Sequence, residues 1–137
     1  MDKMVGNYDK LVLFEVSLTS FAGEGLKVKF DLQKRLISWN DGYMWNNNFM
    51  KAIDNDKLKM LNERLPETHM LEWLRAYAEG MEDTVGSKTH KPGVWKISVF
   101  YDDGTTLSHE SKMHFPNDWR LLKSLIEDIT ECSFRLR

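Results

Sequence analysis

Apolar and polar residues alternate along the first third of the chain, and the period becomes helical in the middle. In LVLFEVSL (11–18), Val12, Phe14, Val16 and Leu18 fall on one face. TSFAGEG follows, and its two glycines mark a turn. LKVKFDL (26–32) alternates without a break, with Leu26, Val28, Phe30 and Leu32 on one side and Lys27, Lys29 and Asp31 on the other. A period of two over such a run is the signature of a half-buried strand. QKR turns the chain, and LISW (36–39) returns as a third strand. Together these segments predict an antiparallel meander with one face in water.

Helical spacing takes over in WNNNFMKAIDNDKLKMLNERL (45–65). Its asparagines are capping residues. Leu58, Leu61 and Leu65 recur at helical intervals, and DND at 54–56 breaks the helix or starts a new one. Pro66 suits the first turn of a second helix, with Met70, Leu71, Leu74, Tyr77 and Ala78 as its apolar stripe and Gly80 as its C-terminal cap. EDTVGSKTHKPG (82–93) reads as a loop. Alternation resumes in VWKISVFY (94–101), where Trp95, Ile97, Val99 and Tyr101 share a face. DDG turns, TTLSHESKMHF returns, and PNDWRLLKSLIEDITE is an amphipathic helix. Leu122, Leu125, Ile126 and Ile129 form the stripe of that helix, with Asn117 or Asp118 at its cap. The tail CSFRLR is placed as a short edge strand. The order βββ-αα-ββ-α predicts an α+β domain over residues 1–137. Its antiparallel sheet has about five strands, with helices packed mainly on one face.

A length of 137 residues suits one domain with one core. With 42% hydrophobic and 12% aromatic residues, the chain has enough apolar surface to order itself. Its 19 basic and 21 acidic residues give a net charge of −2, which argues against a generic nucleic-acid binder. The single cysteine, Cys132, has no partner for a disulfide within the chain. With an N-terminus that lacks an apolar signal core, this predicts a cytoplasmic location in a bacterium or a phage-infected host cell. No apolar run is long enough to span a bilayer.

The stretch SHESKMHFPNDW (108–119) comes nearest to a metal motif. The zinc-protease helix carries H-E-x-x-H, whereas His109 and His114 here are five residues apart. On a helix they would stand about 140° apart, and on a strand they would lie on opposite faces. Neither geometry brings both to one metal. Hairpin register fixes the rest. A two-residue turn at Asp103-Gly104 would set Ile97 against Glu110, polar on apolar. A three-residue loop, Asp102-Asp103-Gly104 with a left-handed glycine, pairs Val99 with Leu107, Tyr101 with Thr105 and Lys96 with Glu110. His109 then lies opposite Ile97 on the core side. It is either a general acid–base group or a strand histidine hydrogen-bonded to a neighbour.

Other chemistry is sparse. Cys132 ends the last helix, where the macrodipole disfavours a thiolate, so it reads as structural. No phosphate-binding glycine motif is present, and DNDKLKMLNE lacks the glycine and spacing of a calcium loop. No metal and no cofactor is implied. WNDGYMWNNNF (39–49) clusters Trp39, Tyr43, Trp45 and Phe49 among asparagines, the composition of a recognition surface. Trp39 and Phe49 are assigned to the core, and Tyr43 and Trp45 to contact with a partner. The acidic EGMED (79–83), with Glu79, Glu82 and Asp83, is a second contact candidate.

The patterns W-x-I-x-V-x-Y-D-D-G (95–104) and P-x-x-W-x-x-L-x-x-x-I (116–126) resemble a group of small uncharacterised proteins of bacteria and their phages. The residues are Trp95, Ile97, Val99, Tyr101, Asp102, Gly104, Pro116, Trp119, Leu122 and Ile126. The resemblance covers residues 94–126 and implies a strand-hairpin-helix unit but no reaction. Two functions remain. One is a non-enzymatic module that binds a protein partner, such as an inhibitor, immunity or phage anti-defence protein. Its contacts would be Tyr43, Trp45, Glu79, Glu82 and Asp83. The other is a small enzyme or ligand-binding protein whose pocket lies between sheet and helices near His109 and Glu15. A polar cavity there would favour the second, and a filled apolar core the first. The missing catalytic signature leans toward the first. Oligomeric state is left open.

Overall fold

In the computed structural model, which describes residues 8–19, 25–42, 48–78, 94–111 and 118–134, six strands form one antiparallel sheet. They are β1 (Leu11–Thr19), β2 (Gly25–Asp31), β3 (Leu36–Asp41), β4 (Phe49–Ala52), β5 (Val94–Tyr101) and β6 (Thr106–Ser111), in the spatial order β4-β3-β2-β1-β5-β6. The helices are α1 (Asn55–Arg64), α2 (Met70–Ala78) and α3 (Trp119–Thr130). Their apolar stripes join the inward residues of the sheet in one core. The class is α+β, as the alternation predicts. No helix among the described residues is long and apolar enough to cross a membrane.

Inward positions follow the period of two. Phe14, Val16, Val28, Phe30, Ile37, Ile97 and Val99 are all fully buried, and Phe14 stacks on Phe30 with ring centroids 4.7 Å apart. One irregularity alters the reading of β1. Leu11 pairs with Tyr101 and Leu13 with Phe100, so Val12 is an extra residue in a bulge. Leu11 therefore takes the core position, and Val12 turns to the other side, half-buried.

The sixth strand is β4, where a helix was expected to begin. Phe49 pairs with Trp39 and stacks on its ring at 5.8 Å, and Lys51 pairs with Ile37. Asn48 does not cap a helix; its side chain accepts the Asp41 N–H at 2.6 Å. The helix starts later, where the Asp54 carboxylate accepts the Lys57 N–H at 2.8 Å. Pro66 opens only a single 3-10 turn, Pro66–Thr68. The Thr68 hydroxyl donates to Leu65 O at 2.6 Å and accepts the Met70 N–H, and His69 adopts φ 61°, so α2 starts afresh. Met70, Leu71 and Leu74 are buried as expected. Leu122, Leu125, Ile126 and Ile129 bury the stripe of α3.

The tail is not a strand over residues 131–134. Phe134 is buried instead, edge-on to Trp39 at 6.0 Å and 6.4 Å from Trp119. Its N–H donates to Glu127 Oε2 at 2.8 Å, which holds the chain against the end of α3.

Candidate functional site: the open face of the sheet

The hairpin of β5 and β6 has the register that the three-residue loop predicts. Val99 pairs with Leu107, Ile97 with His109 and Lys96 with Glu110. Tyr101 N–H donates to Thr105 O at 2.9 Å, and Gly104 sits at φ 90°. His109 thus faces the helices, its ring 5.5 Å from that of Trp95, which in turn lies 6.1 Å from Trp119. Glu15 is elsewhere. Val16 pairs with Ile97, and Ile97 with His109, so His109 shares a face with Val16. Glu15 is one residue from Val16 and points to the opposite face. His109 and Glu15 are therefore not joint polar groups on one side of the sheet. Beside His109 on its own face lie the buried rings of Trp95 and Trp119.

Among the described residues no helix covers the opposite face of the sheet, and strand pairing arranges it in three rows. The first runs Asn40, Lys27, Ser17, Lys96, Glu110. The second runs Met50, Ser38, Lys29, Glu15, Ser98, Ser108. The third runs Ala52, Leu36, Asp31, Leu13, Phe100, Thr106. Every one of these residues is exposed or half-buried. Charges of opposite sign face each other across strands, Glu15 against Lys29 and Lys96 against Glu110. Phe100 and Met50 are large apolar residues left 39% and 66% exposed. A shallow, open depression of about 370 Å³ lies on this face, lined by Val12, Leu13, Glu15, Lys29, Asp31, Gln33 and Phe100. The β1 bulge builds it, because it turns two consecutive residues, Val12 and Leu13, to the same side.

Three polar contacts off this face carry no sequence signal, because their partners are distant in the chain. His69 Nδ1 lies 2.7 Å from Asp118 Oδ2, which ties the start of α2 to the start of α3. Asp118 occupies the N-cap position but makes no side-chain cap bond. The neighbouring Thr68 hydroxyl is buried and engaged, so this pair activates no nucleophile there. Tyr8 donates to Glu72 Oε1 at 2.6 Å and accepts the Leu71 N–H at 3.1 Å. Lys51 Nζ donates to Thr130 O at 3.3 Å beside Cys132. Burial pushes the Cys132 thiol pKa up, and Lys51 only partly opposes it, so the thiol is not an activated nucleophile. Among the described residues, no group of three or more His, Cys, Asp or Glu side chains is placed to hold a metal.

Tyr43, Trp45, Glu79, Glu82 and Asp83, the expected partner contacts, lie outside the described residues, as do Gly80, residues 82–93, His114 and Asn117. The chain matches no protein-family model, no curated protein and no solved structure.

Proposed function

We propose that the chain is a non-enzymatic protein-binding module that acts by occupying a partner's surface, as an inhibitor, immunity or phage anti-defence protein does. The observation that carries this reading is the open six-stranded face with its three ordered rows. The register supports it as well, since it sets His109 and Glu15 on opposite faces of the sheet. The charge on the face favours a protein over a nucleic acid. Lys27, Lys29 and Lys96 are matched by Glu15, Asp31 and Glu110, three against three, so the face has no basic excess for phosphates.

Strand and residue spacings give the three rows an area of roughly 500 Å². A typical interface takes about 800 Å² from each partner, so the rim must contribute. Tyr43 and Trp45 follow β3 within four residues of Asp41 and remain contact residues of this proposal. The reading keeps the cytoplasmic location expected from the lone cysteine.

The test is capture from lysate of the source cell, followed by cross-linking to locate the contact. Wild type is compared with Lys27→Glu/Lys96→Glu and with Tyr43→Ala/Trp45→Ala, each first shown to be folded by circular dichroism. The expected result is one stoichiometric partner, cross-linked to the open face and lost with the lysine variant. A partner retained by both variants would remove these surfaces from the proposal. No stoichiometric partner from any relevant lysate would discard the binding module in favour of a ligand-binding or enzymatic role.

A further inference from the structure

The depression is the place where the open face departs from a regular strand surface, and its walls have a distinct chemistry. Leu13 is part of its lining, with Asp31 beside it on β2 and Phe100 beside it on β5. Glu15 is the next residue of β1 on this face, and Lys29 stands across from it. Two carboxylates and one ammonium leave the lining with one net negative charge. Asp31 Oδ1 accepts the Lys34 N–H at 2.9 Å, which orients the carboxylate and leaves Oδ2 for a further donor. Phe100 shows its ring at 39% exposure.

We infer that this depression receives an arginine side chain of the protein partner, an inference that rests on the binding reading above. Five of the seven lining residues match a part of that side chain, and Lys29 and Gln33 stand at its edge without a matched part. The aliphatic stem lies on Val12 and Leu13. The planar guanidinium lies over the Phe100 ring, where the ring face attracts a cation. Its N–H edge donates to Glu15 and Asp31, with carboxylates as charge-assisted acceptors. Lysine is a poorer occupant, because its compact ammonium is strongly hydrated and does not lie flat on a ring. An acidic side chain would meet Glu15 and Asp31. An aliphatic one would strip water from both carboxylates and give them no donor. Arginine is also among the residues most enriched at the energetic centres of interfaces, and a chain of net charge −2 draws a basic surface toward it.

The probe is N-acetyl-arginine methylamide, titrated into the ¹⁵N-labelled chain and compared with the citrulline and lysine analogues. Citrulline keeps the shape and removes the charge. The expected result is a set of amide shifts clustered at Leu13, Glu15, Asp31 and Phe100, saturating at roughly millimolar probe. Binding should weaken about tenfold or more with citrulline and be lost in Glu15→Gln/Asp31→Asn, whose other amide shifts stay in place. Phe100→Ala should weaken it as well. Equal shifts with citrulline, shifts elsewhere or no shifts would overturn the inference. Its failure is separable from that of the binding module. A captured partner insensitive to Glu15→Gln/Asp31→Asn, with no arginine-selective shifts, removes the arginine site and keeps the module. Arginine-selective shifts with no captured partner remove the module, and with it the protein-borne arginine, leaving a site for a small guanidinium compound.

Discussion

Tyr8 joins a 3-10 turn before β1 (Tyr8–Lys10) to a helix more than sixty residues away. Its hydroxyl satisfies the Leu71 N–H, one of the donors that a helix start leaves without an intrahelical partner. Burial, then the hydrogen bond to Glu72, pushes the phenol well above its ordinary pKa of about 10. The folded chain therefore holds this proton more tightly than the unfolded one. The resulting stability is fully present below about pH 10 and is lost as pH rises, because the unfolded chain ionises first. Tyr8→Phe should cost about 1–3 kcal/mol at neutral pH, and the gap to wild type should narrow above about pH 10. Urea midpoints at several pH values measure both, and an unchanged gap would show that Tyr8 ionisation does not couple to folding. Nothing near Tyr8 in the sequence marks this role, because both partners are distant. Trp39 was legible as a core residue by alternation. Its buried indole N–H meets no acceptor among the described residues, a cost that only the packed structure reveals.

At the scale of elements, local chemistry was readable and distant pairing was not. The β5–β6 register follows from DDG alone, because a left-handed glycine in a three-residue loop permits one pairing that keeps apolar residues together. β4 was missed because it is four residues long and one of its two inward positions is Lys51, which blurs the alternation. The β1 bulge is set by pairing with β5, far along the chain, so the depression could not be foreseen. Two glycines separate strain from crowding. Gly104 needs φ 90° but has nothing within 4 Å of an added Cβ. Gly104→Ala should therefore cost only the backbone term, about 1–2 kcal/mol. Gly25 opens β2 opposite Thr19, and a Cβ there would lie 1.8 Å from Leu18 O, a backbone atom. Gly25→Ala should cost at least about 3 kcal/mol. Thermal melts of the two variants give the order, and the reverse order would show that the β1–β2 pairing shifts freely to make room.

At the scale of the whole molecule, β1 links the two parts of the sheet that are separate in sequence. It pairs with β2 of the N-terminal meander and with β5 of the C-terminal hairpin. The alternation gave the α+β class, but no local signal sets β1 beside β5, so the strand order was not legible. The expected consequence is that the described strands and helices unfold as one cooperative unit. Without β5, β6 and α3, Phe14 and Val16 would lose Val99 and Ile97 alongside them, and the core would lose the α3 stripe. Urea unfolding should therefore give one transition. Far-UV circular dichroism and tryptophan fluorescence should coincide, since Trp39, Trp95 and Trp119 are buried at different places in the same core. The slope should be about 1–3 kcal/mol per molar urea, and a chain ending at residue 93 should not fold. Separated transitions, or a folded 1–93 fragment, would divide the molecule between β1 and β5. Cooperativity also bears on the proposed partner. The open face draws its rows from all six strands, so a ligand bound there stabilises the sheet as a unit and moves both probes to the same higher midpoint.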